Sequence, residues 1–170
     1  GDPRTRFQED YSRMLRGLRF AAQLGYTIEE KTWKAIRDLI PRVNDERERE
    51  GKRERVTPYE TIAREFVKGL CADPARTLDL WYQAKAIHIL LPELLRLRGC
   101  EQSKDFHSEG DVWKDTRLAL TKLKSPEFRA LFPNARPDEE TFLAVLLHDV
   151  EKPATKARTT LANGQERITF

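Results

Sequence analysis

The sequence predicts an all-α fold with several helices in a first part, a smaller helical second part and a short C-terminal β-hairpin. Apolar residues recur at helical spacing through most of the chain, and helix-start signals precede many of these runs. The only strong hairpin signal, Asn163-Gly164, lies near the C-terminal end. A polar stretch over 99–110 predicts a domain boundary, which divides the chain into 1–98 and 99–170.

The first predicted helix runs from Arg6 to Leu24 and ends at Gly25, a typical C-terminal stop. One face carries the apolar residues Tyr11, Met14, Leu15, Leu18 and Ala22. That spacing predicts one continuous amphipathic helix packed on a core.

Three later helix starts carry recognisable signals. Thr27 and Glu30, and then Thr57 and Glu60, have the spacing of capping boxes, in which a hydroxyl and a carboxylate bond to the free backbone N–H groups. Asp73-Pro74 is typical of a helix start.

The second part also begins with helices. Helices are predicted over 111–123, with Val112, Trp113, Leu118 and Leu120 mostly inward, and over 138–150. Short alternating runs at 158–161 and 167–170 flank the Asn163-Gly164 turn and predict the hairpin.

A highly charged stretch extends from Asp45 to Arg55. Ten of its eleven residues are charged, five of each sign, so it can bury almost nothing. We expect a solvated loop or a helix extension, and contact with RNA is the alternative.

Composition excludes several classes of protein. The chain has 170 residues, with 39% hydrophobic and 35% charged, which is typical of a soluble globular protein rather than a disordered or fibrous one. No apolar run approaches the roughly 20 residues of a membrane span. The net charge of +3 is too small to identify a nucleic-acid partner by itself. Cys71 and Cys100 are isolated thiols, which favours a reducing compartment, the cytoplasm.

The first predicted helix carries the most informative polar cluster, Glu9-Asp10-x-x-Arg13. An ionised Asp only accepts hydrogen bonds and Arg only donates them, so the pair can imitate the edge of a base. Cytosine and adenine each offer an amino donor beside a ring-nitrogen acceptor, which match this pair. Guanine and uracil offer the opposite pattern. The alternative is an ion pair on a solvated basic stripe formed by Arg13, Arg16 and Arg19.

The stretch Arg6–Gly25, led by Gly1-Asp2-Pro3, resembles the segment after the catalytic head in bacterial tRNA nucleotidyltransferases (CCA-adding enzymes) and related poly(A) polymerases. The resemblance implies that the parent enzyme adds C and/or A from CTP or ATP to the 3′ end of a tRNA or other RNA. It places the base template on Asp10 and Arg13, supported by Glu9 and Arg16. The stretch 60–68 is similar to the family's neck helix, and Arg19 and Lys68 are the expected RNA contacts.

Three further stretches, 90–94, 106–113 and 146–153, resemble the HD-type metal domain that some members carry. The resemblance implies metal ligands at His148 and Asp149. Asp115 stands where the family has His and could ligate a hard cation in a different site, while Glu151 replaces a Gly. The alternative is a His–Asp hydrogen bond at a helix end.

Nucleotidyl transfer needs paired carboxylates that hold two metal ions, and a Gly-Ser turn for the triphosphate. The chain contains neither Asp-x-Asp nor Gly-Ser. We therefore expect that this chain is a fragment without catalytic residues and that it does not transfer nucleotides alone. The catalytic head, with its Mg²⁺, is expected upstream of Gly1. Two rival functions are a metal-dependent HD-type phosphohydrolase and a non-enzymatic helical RNA-binding or protein-interaction module.

Overall fold

The computed structural model describes residues 1–102, 110–160 and 166–170. These residues form ten α-helices, two 3-10 helices and two separate two-stranded sheets. The predicted all-α class with a short C-terminal hairpin is confirmed. The chain divides into two compact units, Gly1–Leu91 and Pro92–Phe170, and the division falls shortly before the boundary predicted after residue 98.

Helices dominate the first unit. It contains α1 (Pro3–Glu9), α2 (Ser12–Leu24), α3 (Glu30–Leu39), a 3-10 helix (Ile40–Asn44), β1 (Glu46–Arg49), β2 (Lys52–Arg55), α4 (Tyr59–Ala72), α5 (Pro74–Gln83) and α6 (Ala86–Leu90). Helix α2 packs against α4 and α5, and α1 packs against α3.

The prediction of one continuous helix from Arg6 to Leu24 is wrong, because the helix breaks at Asp10 and Tyr11. Asp10 has an extended backbone, with φ −158° and ψ 104°. Its carboxylate accepts a hydrogen bond from the backbone N–H of Ser12. A short acidic side chain can bond nearby backbone amides in this way, so it competes with the helical ladder and begins a new helix. The predicted stop at Gly25 is confirmed, with φ +70°.

Neither predicted capping box forms. Helix α3 is capped by Glu29, whose carboxylate accepts from the Thr32 N–H, so the helix begins after the predicted Thr27 cap. Helix α4 begins without a side-chain cap, and the hydroxyl of Thr57 is buried with no hydrogen-bond partner. The predicted start at Asp73 is confirmed, since its side chain accepts from the Arg76 N–H.

The charged stretch 45–55 forms an antiparallel hairpin rather than the expected loop or helix extension. Strands β1 and β2 pair in full register around Glu50 and Gly51, which both have positive φ. Positive φ at both central residues suits the tight turn that matches the twist of the strands. Opposite charges face each other in three of the four cross-strand pairs, with Arg47 Nε 2.8 Å from a Glu54 oxygen, whereas Arg49 faces Lys52 next to the turn. Glu-Gly is a weaker turn signal than Asn-Gly, and alternating charges do not distinguish a strand from a loop. The sequence of this stretch therefore did not indicate a hairpin.

The core of the first unit lies between α2, α4 and α5. Met14, Leu15 and Leu18 of α2 are fully buried, which confirms the predicted apolar face. The rings of Phe66 and Trp81 lie 4.6 Å apart between α4 and α5. These large apolar side chains supply most of the packing free energy.

One ion pair crosses this core. Arg19 Nε of α2 donates to a Glu65 oxygen of α4 at 2.7 Å. The two side chains are only 14% and 6% exposed. The pair therefore fixes the rotation of α2 against α4.

The second unit is smaller. It contains a 3-10 helix (Pro92–Leu97), α7 (Val112–Lys122), α8 (Pro126–Leu131), α9 (Glu139–Leu147), α10 (Lys152–Thr155), β3 (Ala157–Thr160) and β4 (Glu166–Thr169). Helix α7 packs on α9. Val112, Trp113 and Leu120 are buried as expected, whereas Leu118 is 40% exposed. Helix α9 is shorter than the predicted 138–150.

The C-terminal hairpin pairs β3 with β4 in antiparallel register. Its predicted Asn163-Gly164 turn lies outside the described residues, as do residues 106–109 of the HD-like stretch. In the part of the chain that the structure describes, no helix is long and apolar enough to cross a membrane.

We expect the substitution Glu65→Ala to destabilise the first unit by about 3 kcal/mol, because it leaves the guanidinium of Arg19 buried without its partner. Chemical denaturation of the 170-residue chain measures this. Lys68→Ala serves as the control on the same helix, because Lys68 is exposed and should change stability by less than about 0.5 kcal/mol. Equal losses in the two variants would contradict a special role for the pair.

Candidate functional site

The break between α1 and α2 positions the Asp10 carboxylate. Its Oδ1 accepts from the Ser12 N–H at 2.9 Å, and the backbone carbonyl of Asp10 accepts from the Arg13 N–H at 3.2 Å. The second oxygen, Oδ2, lies 3.9 Å from Nε of Arg13. One carboxylate oxygen therefore bonds the first backbone N–H of α2, and the other faces the guanidinium.

Arg13 is held by α1 rather than by Asp10. Its Nη1 donates to a Glu9 carboxylate oxygen at 2.6 Å and to the Arg6 carbonyl at 2.8 Å. Nη1 of Arg6 donates to that same Glu9 oxygen at 2.6 Å. Both fixed contacts of Arg13 use Nη1, whereas its Nε lies 3.9 Å from Asp10 Oδ2.

The electrostatics of this cluster favour ionised groups. The hydrogen bond from Arg13 lowers the pKa of the Glu9 carboxyl, and the nearby charge of Arg6 lowers it further. An ionised Glu9 is the form that accepts two charge-assisted hydrogen bonds. Glu9 thereby orients Arg13.

Asp10 and Arg13 stay open to solvent. Their side chains are 44% and 33% exposed, so the pair is neither sealed in the core nor splayed apart. An acceptor and a donor beside each other at the surface can bind a molecule with a donor beside an acceptor. This is the complementarity expected from the sequence.

The other predicted residues of the first unit, Arg16 in support of the base template and Arg19 and Lys68 as RNA contacts, lie on two packed helices. Arg16 on α2 and Lys68 on α4 are exposed. Arg19 differs from them, because its guanidinium bonds to Glu65 and to Gln23. Arg19 also stacks on the Phe20 ring at 4.0 Å.

The second predicted site lies in the second unit. His148 Nε2 and Asp149 Oδ2 are 3.1 Å apart, which is the His–Asp contact offered as the alternative to a metal. Asp115 accepts a hydrogen bond from Gln102. Within residues 1–102, 110–160 and 166–170, no group of three or more His, Cys, Asp or Glu side chains is placed to hold a metal ion.

Sequence reasoning missed several residues that support these two sites. Arg6 supports Glu9 and Arg13, while Lys152 contacts both Asp149 and Gln102. The spacing of Arg6 and Glu9 on one helix could have indicated the first contact. No local signal links Gln102 with Lys152, because fifty residues separate them.

Comparison with known proteins places the chain beside proteins named Multifunctional CCA protein. The relative from Neisseria gonorrhoeae is 31% identical over 150 residues, 88% of this chain and 32% of the relative. The relative from Halorhodospira halophila is 32% identical over 155 residues, 89% of this chain and 33% of the relative. The relative from Verminephrobacter eiseniae is 30% identical over 158 residues, 90% of this chain and 33% of the relative.

The resemblance predicted from the sequence is therefore confirmed, and it extends over nearly the whole chain. The chain spans about a third of the length of the curated relatives it matches. No protein-family model and no solved structure matches it.

We expect Arg13→Ala to raise the pKa of Glu9 toward that of an ordinary glutamate, because the main cause of its lowering is removed. The Glu9–Arg13 contact stabilises the fold above the unfolded-state pKa, and this contribution is lost as the pH falls through the lowered native pKa. NMR titration of the Glu9 carboxyl carbon measures the pKa in both proteins. An identical pKa in the two would contradict this description of the contact.

Proposed function

We propose, from the kinship of this chain with the CCA proteins, that it forms the base-selecting and RNA-binding part of a nucleotidyltransferase. The enzyme adds C and/or A to RNA 3′ ends, as in tRNA CCA addition or polyadenylation. The observation that carries the proposal is the exposed Asp10–Arg13 pair, in which an acceptor and a donor lie 3.9 Å apart. Its substrates are CTP and ATP, and its macromolecular partner is a tRNA or other RNA 3′ end.

Base selection follows from the free atoms of the pair. Oδ2 of Asp10 accepts from the amino group of cytosine or adenine, and a guanidinium N–H of Arg13 donates to the adjacent ring nitrogen. Guanine and uracil would set a carbonyl against the carboxylate and an N–H against the guanidinium. Each mismatched group costs roughly 1–3 kcal/mol, which is enough for about tenfold discrimination or more.

The surroundings of the pair support this role because they hold both side chains before a base arrives. The Ser12 N–H holds one carboxylate oxygen of Asp10. Glu9 and the Arg6 carbonyl hold one guanidinium nitrogen of Arg13. Side chains that are already ordered lose less entropy on binding, so more of the hydrogen-bond free energy is available for selection.

RNA binding is assigned to the exposed basic side chains of the first unit. Lys68 is an exposed cation on α4. Arg19 on the neighbouring helix α2 is the other predicted contact, although its side chain is only 14% exposed. Cations that neutralise phosphates release counterions, so binding should weaken with salt. The kinship implies a catalytic head that carries out the Mg²⁺ and triphosphate chemistry. We assign no residue of this chain to that head.

We expect Asp10→Asn to abolish discrimination between CTP or ATP and GTP or UTP while the fold keeps its stability. The Ser12 N–H needs an acceptor, so the Asn oxygen replaces Oδ1 and its amide N–H₂ replaces Oδ2. The hydrogen bond to the Ser12 N–H is kept, since the Asn side-chain oxygen accepts as the carboxylate does. Asp10→Ala should lose the same discrimination and about 1 kcal/mol of stability, the value of one lost hydrogen bond.

Two measurements test this expectation. NMR titration of the 170-residue chain with each nucleotide should shift the amides of Ser12 and Arg13 with CTP and ATP, but not with GTP or UTP. Incorporation of the four nucleotides by the complete enzyme measures the same selectivity during turnover. If Asp10→Asn discriminated as wild type does, base reading by this pair would be wrong, even with the family assignment intact.

We expect Lys68→Ala to weaken tRNA binding and to lower the slope of log K against log[salt] by about 0.7 to 0.9, the value for one lost phosphate contact. Filter binding over a range of KCl concentrations measures the slope. Lys34→Ala on α3 is the control, because Lys34 is exposed but was not predicted to contact RNA. An unchanged slope for Lys68→Ala would remove that residue from the RNA contacts.

A further inference from the structure

The hairpin formed by β1 and β2 sorts its charges between its two faces. Residues directly opposite each other, and residues two positions apart along a strand, lie on the same face of a sheet. The observed register therefore places on one face the residues Arg47, Arg49, Lys52 and Glu54, and on the other face Glu46, Glu48, Arg53 and Arg55. We call the first of these the basic face. It carries three cations and one carboxylate, a net charge of +2, although the whole stretch 45–55 is neutral.

The one carboxylate of the basic face serves two guanidinium groups. Oε1 of Glu54 lies 2.8 Å from Nε of Arg47 and 4.0 Å from Nη1 of Arg49. Lys52 lies directly opposite Arg49 rather than opposite a carboxylate. Glu50 of the turn is 4.0 Å from Arg49 and 87% exposed, so water screens its charge. Like charges directly opposite each other destabilise a strand pair, and an anion bound beside Arg49 and Lys52 would relieve this repulsion.

The cations of the basic face project into solvent. The side chains of Arg47 and Arg49 are 55% and 65% exposed, and Lys52 is also exposed. Two positions along a strand span about 7 Å, and paired strands lie about 5 Å apart. The three cations therefore lie within a distance comparable with the Debye length of about 8 Å at physiological salt. They act together on an approaching polyanion.

Side chains at the base of the hairpin hold it on the first unit. Arg55 donates from Nη2 to Oδ1 of Asn44 at 2.6 Å and from Nη1 to the Tyr59 hydroxyl at 3.0 Å. Asn44 in turn donates to the Ile89 carbonyl at 3.3 Å. An isolated two-stranded hairpin is only marginally stable in water, so these contacts are needed to order it. A surface that is already ordered loses less entropy when it binds a ligand.

The composition of the hairpin indicates which kind of partner the basic face fits. All residues of 46–55 except Gly51 are charged, so the hairpin has no apolar side chain to bury. The core of a protein–protein interface is depleted in charge, and an element bound at a membrane surface buries apolar side chains. A nucleic-acid backbone needs only cations that replace the counterions of its phosphates. The hairpin therefore fits phosphates better than a protein or a lipid surface.

We propose that the basic face, with Arg47, Arg49 and Lys52, binds the phosphate backbone of the RNA substrate. This inference rests on the proposed RNA-binding function and extends it to side chains that the family resemblance did not place in contact with RNA. The guanidinium groups can each donate two N–H groups to a phosphate, and the Lys52 ammonium adds a point charge. Contacts with phosphates position an RNA without reading its sequence.

The first experiment measures tRNA binding by the double variant Arg49→Ala/Lys52→Ala. Filter binding of a tRNA transcript by the 170-residue chain, over a range of KCl concentrations, gives the slope of log K against log[salt]. We expect the slope to fall by about 1.4 to 1.8, the value for two lost phosphate contacts. Arg53→Ala is the matched control, because Arg53 is next to Lys52 in β2 but lies on the other face and is 83% exposed. An unchanged slope in the double variant, or an equal loss per cation in Arg53→Ala, would overturn the proposal.

The second experiment looks for a gain of binding, which a misfolded chain could not produce. Glu54→Gln removes the carboxylate that competes with phosphate, while the Gln oxygen can still accept from Arg47. We expect tRNA to bind about two- to fivefold more tightly. Glu48→Gln changes the net charge equally on the other face and should leave the affinity unchanged. Unchanged or weaker binding by Glu54→Gln, or an equal gain in Glu48→Gln, would contradict the proposal.

The same measurements separate this proposal from the proposed RNA-binding function. If Lys68→Ala lowers the salt slope and the hairpin variants do not, the chain binds RNA without the hairpin and only the present proposal fails. If the wild-type chain does not bind tRNA at all, both proposals fail.

Discussion

The ion pair between Arg19 and Glu65 is the polar constraint on which the first unit depends. Apolar packing between α2 and α4 tolerates small rotations, but a buried guanidinium needs its carboxylate in one place. The pair therefore sets which face of α2 is turned inward. Arg16 and Arg13 precede Arg19 on the same helix at spacings of three residues, and Arg16 is exposed.

One helix break gives Asp10 a structural role and the functional role that we propose for it. A continuous helix would have placed its carboxylate beside Arg13 with both oxygens free to rotate. The break instead ties Oδ1 to the Ser12 N–H and leaves Oδ2 for a ligand. Glu9 does the same for Arg13 by holding one end of the guanidinium. Two unrelated local contacts thus produce one rigid, exposed donor–acceptor edge.

The second unit contains a carboxylate and an ammonium group that lie within ion-pair distance of each other. Asp149 is mostly buried, and a buried carboxylate needs a cation. Lys152 supplies that cation from the next turn, and Gln102 completes its hydrogen bonds. The residues resemble a metal-binding motif in sequence, and in the structure the ammonium of Lys152 lies 2.8 Å from Asp149.

The sequence by itself determined the helical class, the apolar face of α2, the C-terminal hairpin and the proximity of Asp10 to Arg13, because each depends on residues a few positions apart. It did not determine the break at Asp10 or the hairpin at 46–55. At both places the local preferences for the alternative backbone conformations are weak, so small differences in free energy decide which one forms. Only the tertiary structure decided the partners of Arg19 and Lys152. Glu65 and Gln102 lie 46 and 50 residues away in the chain, and packing of the core alone brings them into contact.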